Sequence, residues 1–303
     1  MKSLKFIVVT VFLLAQINGI AQEKKIAFKK GVLKICSSKN FEIKGYDGNE
    51  VVIKSLHKHR KNLVYFSSRK SSFLKGNLRS LKNDSLRFPT MIYNNSGAKK
   101  QKKGLRKLGK NTDSENGIYL KIEQKNGELI LSDKDDDNSF IMISGESYKV
   151  LIPNSLKLLW DTKKCTKTIP SNVHFYNSKT SSLSDFSGEV EITSSMNNLK
   201  LKDVIGPVSI NSLGGNVKII FDKELPQKLY SIYTNNGYID VAFPQSSNVL
   251  VDAKAIDIYS NLEFNILSDK ENNGIQEMKL KLKSGKVKMK LNSGYGSIYL
   301  RKN

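Results

Sequence analysis

The chain has 303 residues, 39% of them hydrophobic, which is enough for one large or two medium domains with a sizeable core. It carries 50 basic against 28 acidic residues and a formal charge of +22. With this share of hydrophobic residues, the chain is not too polar to bury a core. The excess of positive charge indicates anionic partners such as nucleic acid, lipid headgroups or acidic polysaccharides.

The N-terminal segment decides among those partners. Lys2 and Lys5 precede an apolar run at 6–15, and a small-x-small site ends at Ala21, which is the pattern of a secretory signal peptide spanning 1–21. The run is shorter than the roughly 20 residues that a membrane-spanning helix needs. We therefore expect cleavage and no transmembrane anchor afterwards, with an uncleaved anchor as the alternative. For an exported chain, envelope polymers, lipids and glycans are the expected partners, and nucleic acid is not.

The chain has two cysteines, Cys36 and Cys165. Export permits a disulfide, but two cysteines without close spacing do not by themselves indicate one. We expect both to be small buried apolar residues, with a disulfide as the alternative.

Alternation of apolar and polar residues with period two recurs along the chain and predicts an all-β protein. The strand candidates are 41–45, 50–54, 62–66, 118–123, 128–132, 139–144 and 148–152, and the turn candidates are Asp47-Gly48, Asn116-Gly117, Asn126-Gly127, Asn236-Gly237 and Asn273-Gly274. These turn pairs favour positive φ, as tight turns require. One short helix is predicted at 76–86.

A nine-residue spacing narrows the architecture. Apolar pairs recur at Val190 and Ile192, Leu199 and Leu201, Val208 and Ile210, and Val217 and Ile219. Such a short period is typical of stacked units, and it predicts a parallel β-solenoid over 148–303. Gly188, Gly206 and Gly214-Gly215 are expected at equivalent corners. A β-sandwich is the alternative, and 22–147 is expected to form a less regular N-terminal β region.

Several phrases are similar to those of a known family. They are "YKVLIP" (148–153), "FSGEVEITSSMNNLKLKDVIGPVSINSLGGNVKIIF" (186–221), "YTNNGYIDVAFP" (233–244) and "NSGYGSIYLRK" (292–302), with "FEIKGYDGNEVVIK" (41–54) and "KKGLRKLGKNTDSENGIYLKIEQ" (102–124) upstream. Together they resemble the exported putative-adhesin family of the bacterial envelope, a β-solenoid domain of unknown function. The resemblance implies a parallel β-solenoid in the periplasm or at the cell surface of a bacterium.

No constellation in the sequence predicts catalysis, a metal or a cofactor. Asp133, Asp135 and Asp137 alternate as in a calcium loop, but glycine and glutamate are missing from the sixth and twelfth positions. We interpret 132–140 as a solvated hairpin tip. The three histidines have no acidic or nucleophilic partner nearby, and no G-x-S-x-G motif occurs. We therefore expect a protein that is not an enzyme, the alternative being a glycan-acting β-helix enzyme whose carboxylates converge from different coils.

A basic run at 98–110 is the candidate anion-binding loop. Its basic residues are Lys99, Lys100, Lys102, Lys103, Arg106, Lys107 and Lys110. Each contributes about 1 kcal/mol near an anionic surface. A flexible, solvated loop is the alternative interpretation.

A second basic run, 278–291, alternates lysine with apolar residues. Period two places Lys279, Lys281, Lys283, Lys286, Lys288 and Lys290 on one face of a sheet. This face either binds anions or protects an exposed strand from edge pairing. Tyr230, Tyr233, Tyr238, Tyr259, Tyr295 and Tyr299 lie in the same half of the chain, where they either stack on sugar rings or cover the sheet.

The sequence as a whole predicts an exported, non-enzymatic cell-envelope protein. We expect an adhesin-like binding or structural module whose ligand the sequence does not name. One alternative is an envelope stress or sensor protein that binds anionic lipid through 98–110. The other is the glycan-acting enzyme.

Overall fold

The computed structural model describes residues 23–37, 39–56, 118–133, 147–162 and 180–303. These residues form nineteen strands and no helix, so the all-β prediction is confirmed. The strands are β1 (Glu23–Ala27), β2 (Gly31–Cys36), β3 (Asn40–Tyr46), β4 (Glu50–Ser55), β5 (Leu120–Lys125), β6 (Glu128–Asp133), β7 (Ser147–Pro153), β8 (Leu156–Asp161), β9 (Ser181–Ser184), β10 (Val190–Ser194), β11 (Leu199–Lys202), β12 (Val208–Gly214), β13 (Val217–Ile220), β14 (Tyr230–Asn236), β15 (Ile239–Phe243), β16 (Val249–Ser260), β17 (Asn265–Asn272), β18 (Ile275–Leu282) and β19 (Val287–Lys302).

Consecutive strands in the centre of the chain do not pair with each other. Instead β10 pairs in parallel with β12, with Val190 opposite Val208, and β11 pairs in parallel with β13, with Leu199 opposite Val217. Each partner is the strand two places along the chain. This parallel pattern differs from the antiparallel neighbours of the β-sandwich that the sequence left as an alternative.

The pairings arrange the strands in two rows. Row A runs β5, β6, β2, β8, β10, β12, β14, β19, β16, β18, β17. Row B runs β1, β4, β7, β3, β9, β11, β13, β15, β19, β16. The long strands β16 and β19 belong to row A in their first halves and to row B in their second halves. They thereby join all the strands into one mixed sheet.

Alternate residues of both rows supply one buried core. In β10, for example, Val190 and Ile192 are buried while Glu191 and Thr193 are exposed. Completely burying such an aliphatic side chain stabilises the fold by about 1.5–3 kcal/mol. The period-two pattern of the sequence is therefore the pattern of the core.

Glycines stack where the chain turns between rows. A Cβ on Gly206 would lie 1.9 Å from the Gly188 carbonyl oxygen, and a Cβ on Gly237 would lie 2.1 Å from that of Gly215. Gly188 and Gly206 precede strands of row A, whereas Gly215 precedes a strand of row B. The prediction that Gly214-Gly215 shares a corner with Gly188 and Gly206 is wrong, because the two rows begin at different corners.

Hydroxyl groups form a buried ladder at the ends of the row A strands. Ser194, Ser212, Thr234 and Ser293 occupy matching positions in successive strands, and all four are buried. Three of these hydroxyls donate to backbone oxygens where the chain turns, as when Ser293 Oγ donates to the Gly237 oxygen at 2.6 Å, whereas Ser194 Oγ accepts from Thr162 Oγ1 at 3.4 Å. These hydrogen bonds allow polar groups to lie inside an otherwise apolar core.

Asp133 belongs to the same polar layer. It is buried, and its Oδ1 accepts a hydrogen bond from Ser37 Oγ at 2.6 Å. The interpretation of this residue as part of a solvated hairpin tip is wrong, since β6 places Asp133 beside β2 in row A. Asp135 and Asp137 lie outside the described residues.

Cys36 is fully buried and disulfide-bonded. The expectation of an unbonded cysteine is therefore wrong for Cys36. Cys165 is the only other cysteine of the sequence, and it lies outside the described residues. So do the predicted signal peptide 1–21, the predicted helix 76–86, the strand candidates at 62–66 and 139–144, and the three histidines. Within the residues described, no helix is long and apolar enough to cross a membrane.

The predicted boundary between 22–147 and 148–303 stays a prediction. Strand β3 on its N-terminal side pairs in parallel with β7 and β9 on the other side.

Candidate binding surfaces

Within the described residues, a group of lysines lies on the outer side of row A. We call Lys279, Lys281, Lys288 and Lys290 the lysine face. Strand β16 lies between β18 and β19, so that Leu250 has Lys281 opposite on one side and Lys288 on the other. One step along the strand, Asp252 lies between Lys279 and Lys290 in the same way.

Few acidic groups neutralise the lysine face. Lys279 Nζ lies 3.9 Å from Asp252 Oδ1, whereas Lys281, Lys288 and Lys290 form no ion pair with any described residue. At the margin, Lys254 Nζ lies 2.6 Å from Glu277 Oε1. This hydrogen bond, and then the charge of Lys254, hold the pKa of Glu277 below its usual range.

The prediction that the lysines of 278–291 share one face holds for the four that lie in strands. Lys286 lies just before β19, where its backbone amide donates to Asn248 Oδ1 at 2.8 Å. Lys283 differs, because it lies in the turn after β18 with a φ of 57°, and its Nζ donates to the Ser246 oxygen at 2.8 Å. The sequence did not predict that Leu250 and Asp252 lie between the lysines of this face. The alternation of 249–255 indicates a strand there, but nothing local shows that this strand lies between the two lysine-bearing ones.

The predicted anion-binding loop 98–110 lies outside the described residues. Its seven basic residues, Lys99, Lys100, Lys102, Lys103, Arg106, Lys107 and Lys110, therefore stay a prediction.

Five of the six tyrosines grouped by sequence fall into three environments, and the sixth, Tyr295, is 71% exposed between the two halves of β19. Tyr230 is buried in the core, and its hydroxyl donates to the Val204 oxygen. Burial, and then the charge of Asp203, raise the pKa of Tyr230. Tyr233 is exposed in row A, opposite Asn292.

Three tyrosines come together on the outer side of row B, and we call Tyr238, Tyr259 and Tyr299 the tyrosine cluster. The rings of Tyr259 and Tyr299 stack with centroids 5.4 Å apart, and Tyr238 meets Tyr299 edge-on at 5.8 Å. The Arg301 guanidinium lies 5.1 Å from the centre of the Tyr299 ring, and its Nε donates to Asp240 Oδ1 at 2.9 Å. Tyr259 is 53% exposed.

Comparison with known proteins leaves the family open. No family model matches the chain, and no curated protein matches it. Among solved structures, the chain is similar to a "putative cell adhesion protein" of Clostridium sporogenes, at 10% identity and a TM-score of 0.43, over 93% of this chain and 99% of that chain. It is also similar to a "putative lipid binding protein" of Parabacteroides distasonis, at 12% identity and a TM-score of 0.31, over 93% and 97%.

Both TM-scores are below 0.5, so these likenesses support no argument about fold or function. The resemblance to the exported adhesin-like family stays a prediction.

Proposed function

We propose that this protein is an exported, non-enzymatic binding module of the bacterial cell envelope, and that its lysine face binds an anionic envelope polymer. The observation that carries the proposal is the cross-strand arrangement in which Lys281 and Lys288 flank Leu250 while Lys290 lies one step along. A salt-sensitive interaction with phosphate- or carboxylate-bearing chains is what such a face supports.

The position of the lysines favours binding over protection of an edge. Lysines deter unwanted pairing when they lie on an edge strand. Here β18 has neighbours on both sides, and so does the first half of β19. At this end of the described row A, the edge strand is β17. The lysine face therefore covers the interior of the row, where protection against pairing is not needed.

The sheet also fixes the spacing of the charges. Lys288 and Lys290 are two residues apart in one strand, which is about 7 Å. Lys281 and Lys288 are two strands apart, which is about 9.5 Å. Because the backbone is already ordered, binding loses only side-chain freedom. Each lysine near an anionic surface contributes about 1 kcal/mol, so the face as a whole supports moderate, salt-dependent affinity.

We also propose an overall architecture for the protein. The parallel pairing of strands two places apart, with glycines and hydroxyls in register at the corners, supports a two-sided parallel β-solenoid with the rows as its sides. A solenoid presents long, regular outer faces, which suits binding to a polymer.

The test compares two triple variants of the mature chain in binding to polyphosphate, to alginate and to vesicles containing phosphatidylglycerol. The face variant is Lys281→Gln, Lys288→Gln and Lys290→Gln, and the control variant is Lys24→Gln, Lys125→Gln and Lys228→Gln. Each variant loses three positive charges. None of the six lysines forms an ion pair within the described residues, so neither variant breaks one. We expect the face variant to weaken polymer binding at least tenfold and the control less than threefold. Equal losses would mean that only total charge matters and would reject the proposal, while binding to vesicles alone would favour the lipid alternative.

Sugar binding at the tyrosine cluster is a second candidate function. The observation that favours it is the 53% exposure of Tyr259 beside the polar pair Arg301 and Asp240, since sugars bind to exposed aromatic rings with hydrogen-bonding groups at the margin. Binding of neutral oligosaccharides, lost in Tyr259→Ala and kept in Tyr233→Ala, would support it. Equal binding by both variants would reject it.

A further inference from the structure

Row A extends further than row B at the C-terminal end of the molecule. Beyond β16, row A continues with β18 and β17. Row B ends with the second half of β16, because no described strand pairs with its far edge. The inner side of the β17–β18 hairpin therefore has no row B strand opposite it, and we call this gap the notch.

Apolar side chains are exposed in the notch. Ile266 in β17 is directly opposite Leu280 in β18, so both point to the inner side of row A. Leu280 is 3% exposed, whereas Ile266 is 55% exposed. Ile256, at the bulge where β16 changes rows, is also exposed. A further row B strand opposite this hairpin would cover Ile266 as completely as Leu280 is covered now.

The backbone of the notch has an open edge. Asn261 donates its amide to the Leu300 oxygen at 3.3 Å, which fixes the alternation of the parallel ladder. By that alternation the amides of Ile258 and Ser260 point away from β19, to the edge where no described strand pairs. Such an edge is a template for adding a strand.

The charge of the notch selects the occupant. A cleft of about 630 Å³ at one end is lined by Ile256, Asp257, Asp269, Glu271, Gly274 and Gln276. None of its three carboxylates forms an ion pair with a described lysine or arginine. This is an acidic surface on a chain whose formal charge is +22. Two copies of this edge facing each other would bring like charges together, which disfavours a second copy as the occupant.

We propose that the notch binds a β-strand of a partner protein whose inward-facing side chains are apolar at one end and basic at the other. The strand pairs with the Ile258 and Ser260 edge and continues row B. Asp269 lies opposite Met278 and Glu271 opposite Gln276, so both carboxylates project to the same inner side as Ile266. The apolar and the basic side chains of the partner strand therefore share its inward face, with the apolar ones against Ile266 and the basic ones against the carboxylates of the cleft. This inference is independent of the lysine face, which lies on the other side of row A.

The experiment uses two synthetic peptides, acetyl-VSVSKSK-amide and the acidic control acetyl-VSVSESE-amide, in fluorescence anisotropy with the mature chain. The valines and the two charged residues of each peptide share one face of the strand. The notch variant is Asp257→Asn, Asp269→Asn and Glu271→Gln, and the matched control variant is Glu42→Gln, Glu50→Gln and Glu224→Gln. We expect the basic peptide to bind, the notch variant to weaken it at least tenfold, and the control variant to change it less than twofold. Slower hydrogen exchange at Ile258 and Ser260 in the complex would show that the backbone pairs.

Four outcomes would overturn the proposal. They are no binding of the basic peptide, equal binding of the acidic peptide, equal loss in both variants, and slow exchange at Ile258 and Ser260 before the peptide is added. The last would mean that the edge is already paired, and sedimentation would then show whether a second copy is the occupant.

Discussion

Asp203 Oδ1 accepts the backbone amide of Asp222 at 2.7 Å, and it also accepts those of Lys223 at 2.9 Å and Glu224 at 3.2 Å. Asp203 is buried and has a φ of 50°. One carboxylate oxygen thus holds the start of the segment that leads from row B back to row A. Hydrogen bonds to a charged group are stronger than neutral ones, so this contact fixes a corner that has little other regular structure.

We expect Asp203→Ala to lower the free energy of unfolding by about 2–3 kcal/mol, because it removes charge-assisted hydrogen bonds. Asp203→Asn should cost less, since asparagine keeps the acceptor and tolerates positive φ. Asp185 is the control, with the same φ of 50° but a side chain that is 34% exposed and paired with Lys44 at 3.3 Å. Chemical denaturation measures all three variants. An equal cost in Asp185→Ala would contradict the role of the buried hydrogen bonds.

The buried hydroxyl of Tyr230 should make stability depend on alkaline pH. Its pKa is raised in the folded protein by burial and then by the charge of Asp203, and the unfolded value is about 10. The contribution is therefore fully present below pH 10 and decreases above it, by about 1.4 kcal/mol for each pH unit. We expect the stability difference between the wild type and Tyr230→Phe to shrink between pH 10 and pH 11. A constant difference in urea denaturation would contradict this.

Reduction should destabilise the protein through Cys36. A disulfide contributes about 2–4 kcal/mol, so we expect dithiothreitol to lower the Tm of the wild type. Cys36→Ser should have a lower Tm that dithiothreitol does not change further. If the wild type and the variant responded equally to the reductant, the effect would not arise from this residue.

The glycine stack should tolerate no side chain. In Gly206→Ala the new Cβ would lie 1.9 Å from the Gly188 oxygen, which is backbone and has no room to move. We expect a loss of more than about 3 kcal/mol in the free energy of unfolding. Gly274→Asn is the control, because a Cβ there meets nothing within 4 Å and asparagine accepts a φ of 73°. Thermal denaturation should separate the two variants clearly, and similar losses would contradict the steric argument.

Local pattern in the sequence predicted most of the strands. Strands β10 to β13 begin at Val190, Leu199, Val208 and Val217, the positions where the apolar pairs recur. Asn273-Gly274 forms a turn with φ values of 53° and 73°, as its composition predicts. Strand starts and tight turns depend on residues that are close in the chain, so they can be predicted from the local sequence.

Features that depend on distant residues were not predictable. The edge strand β17 was missed because "NILSDKEN" is mostly polar and exposed, so it lacks the alternation that marks a buried strand. Asp133 was misread because Ser37, its hydrogen-bond donor, lies 96 residues away. The lysine face was predicted as a set of residues, but its centre at Leu250 depends on which strands pair.

Strand β19 connects three groups of strands that share no other hydrogen-bonded ladder among the described residues. Its first half lies between β14 and β16, and its second half joins β15 to the end of β16. Because these sixteen residues belong to both rows, disrupting β19 would separate row A from row B and detach both rows from β16 and its hairpin. We therefore expect the two rows to unfold together in one cooperative transition rather than one after the other.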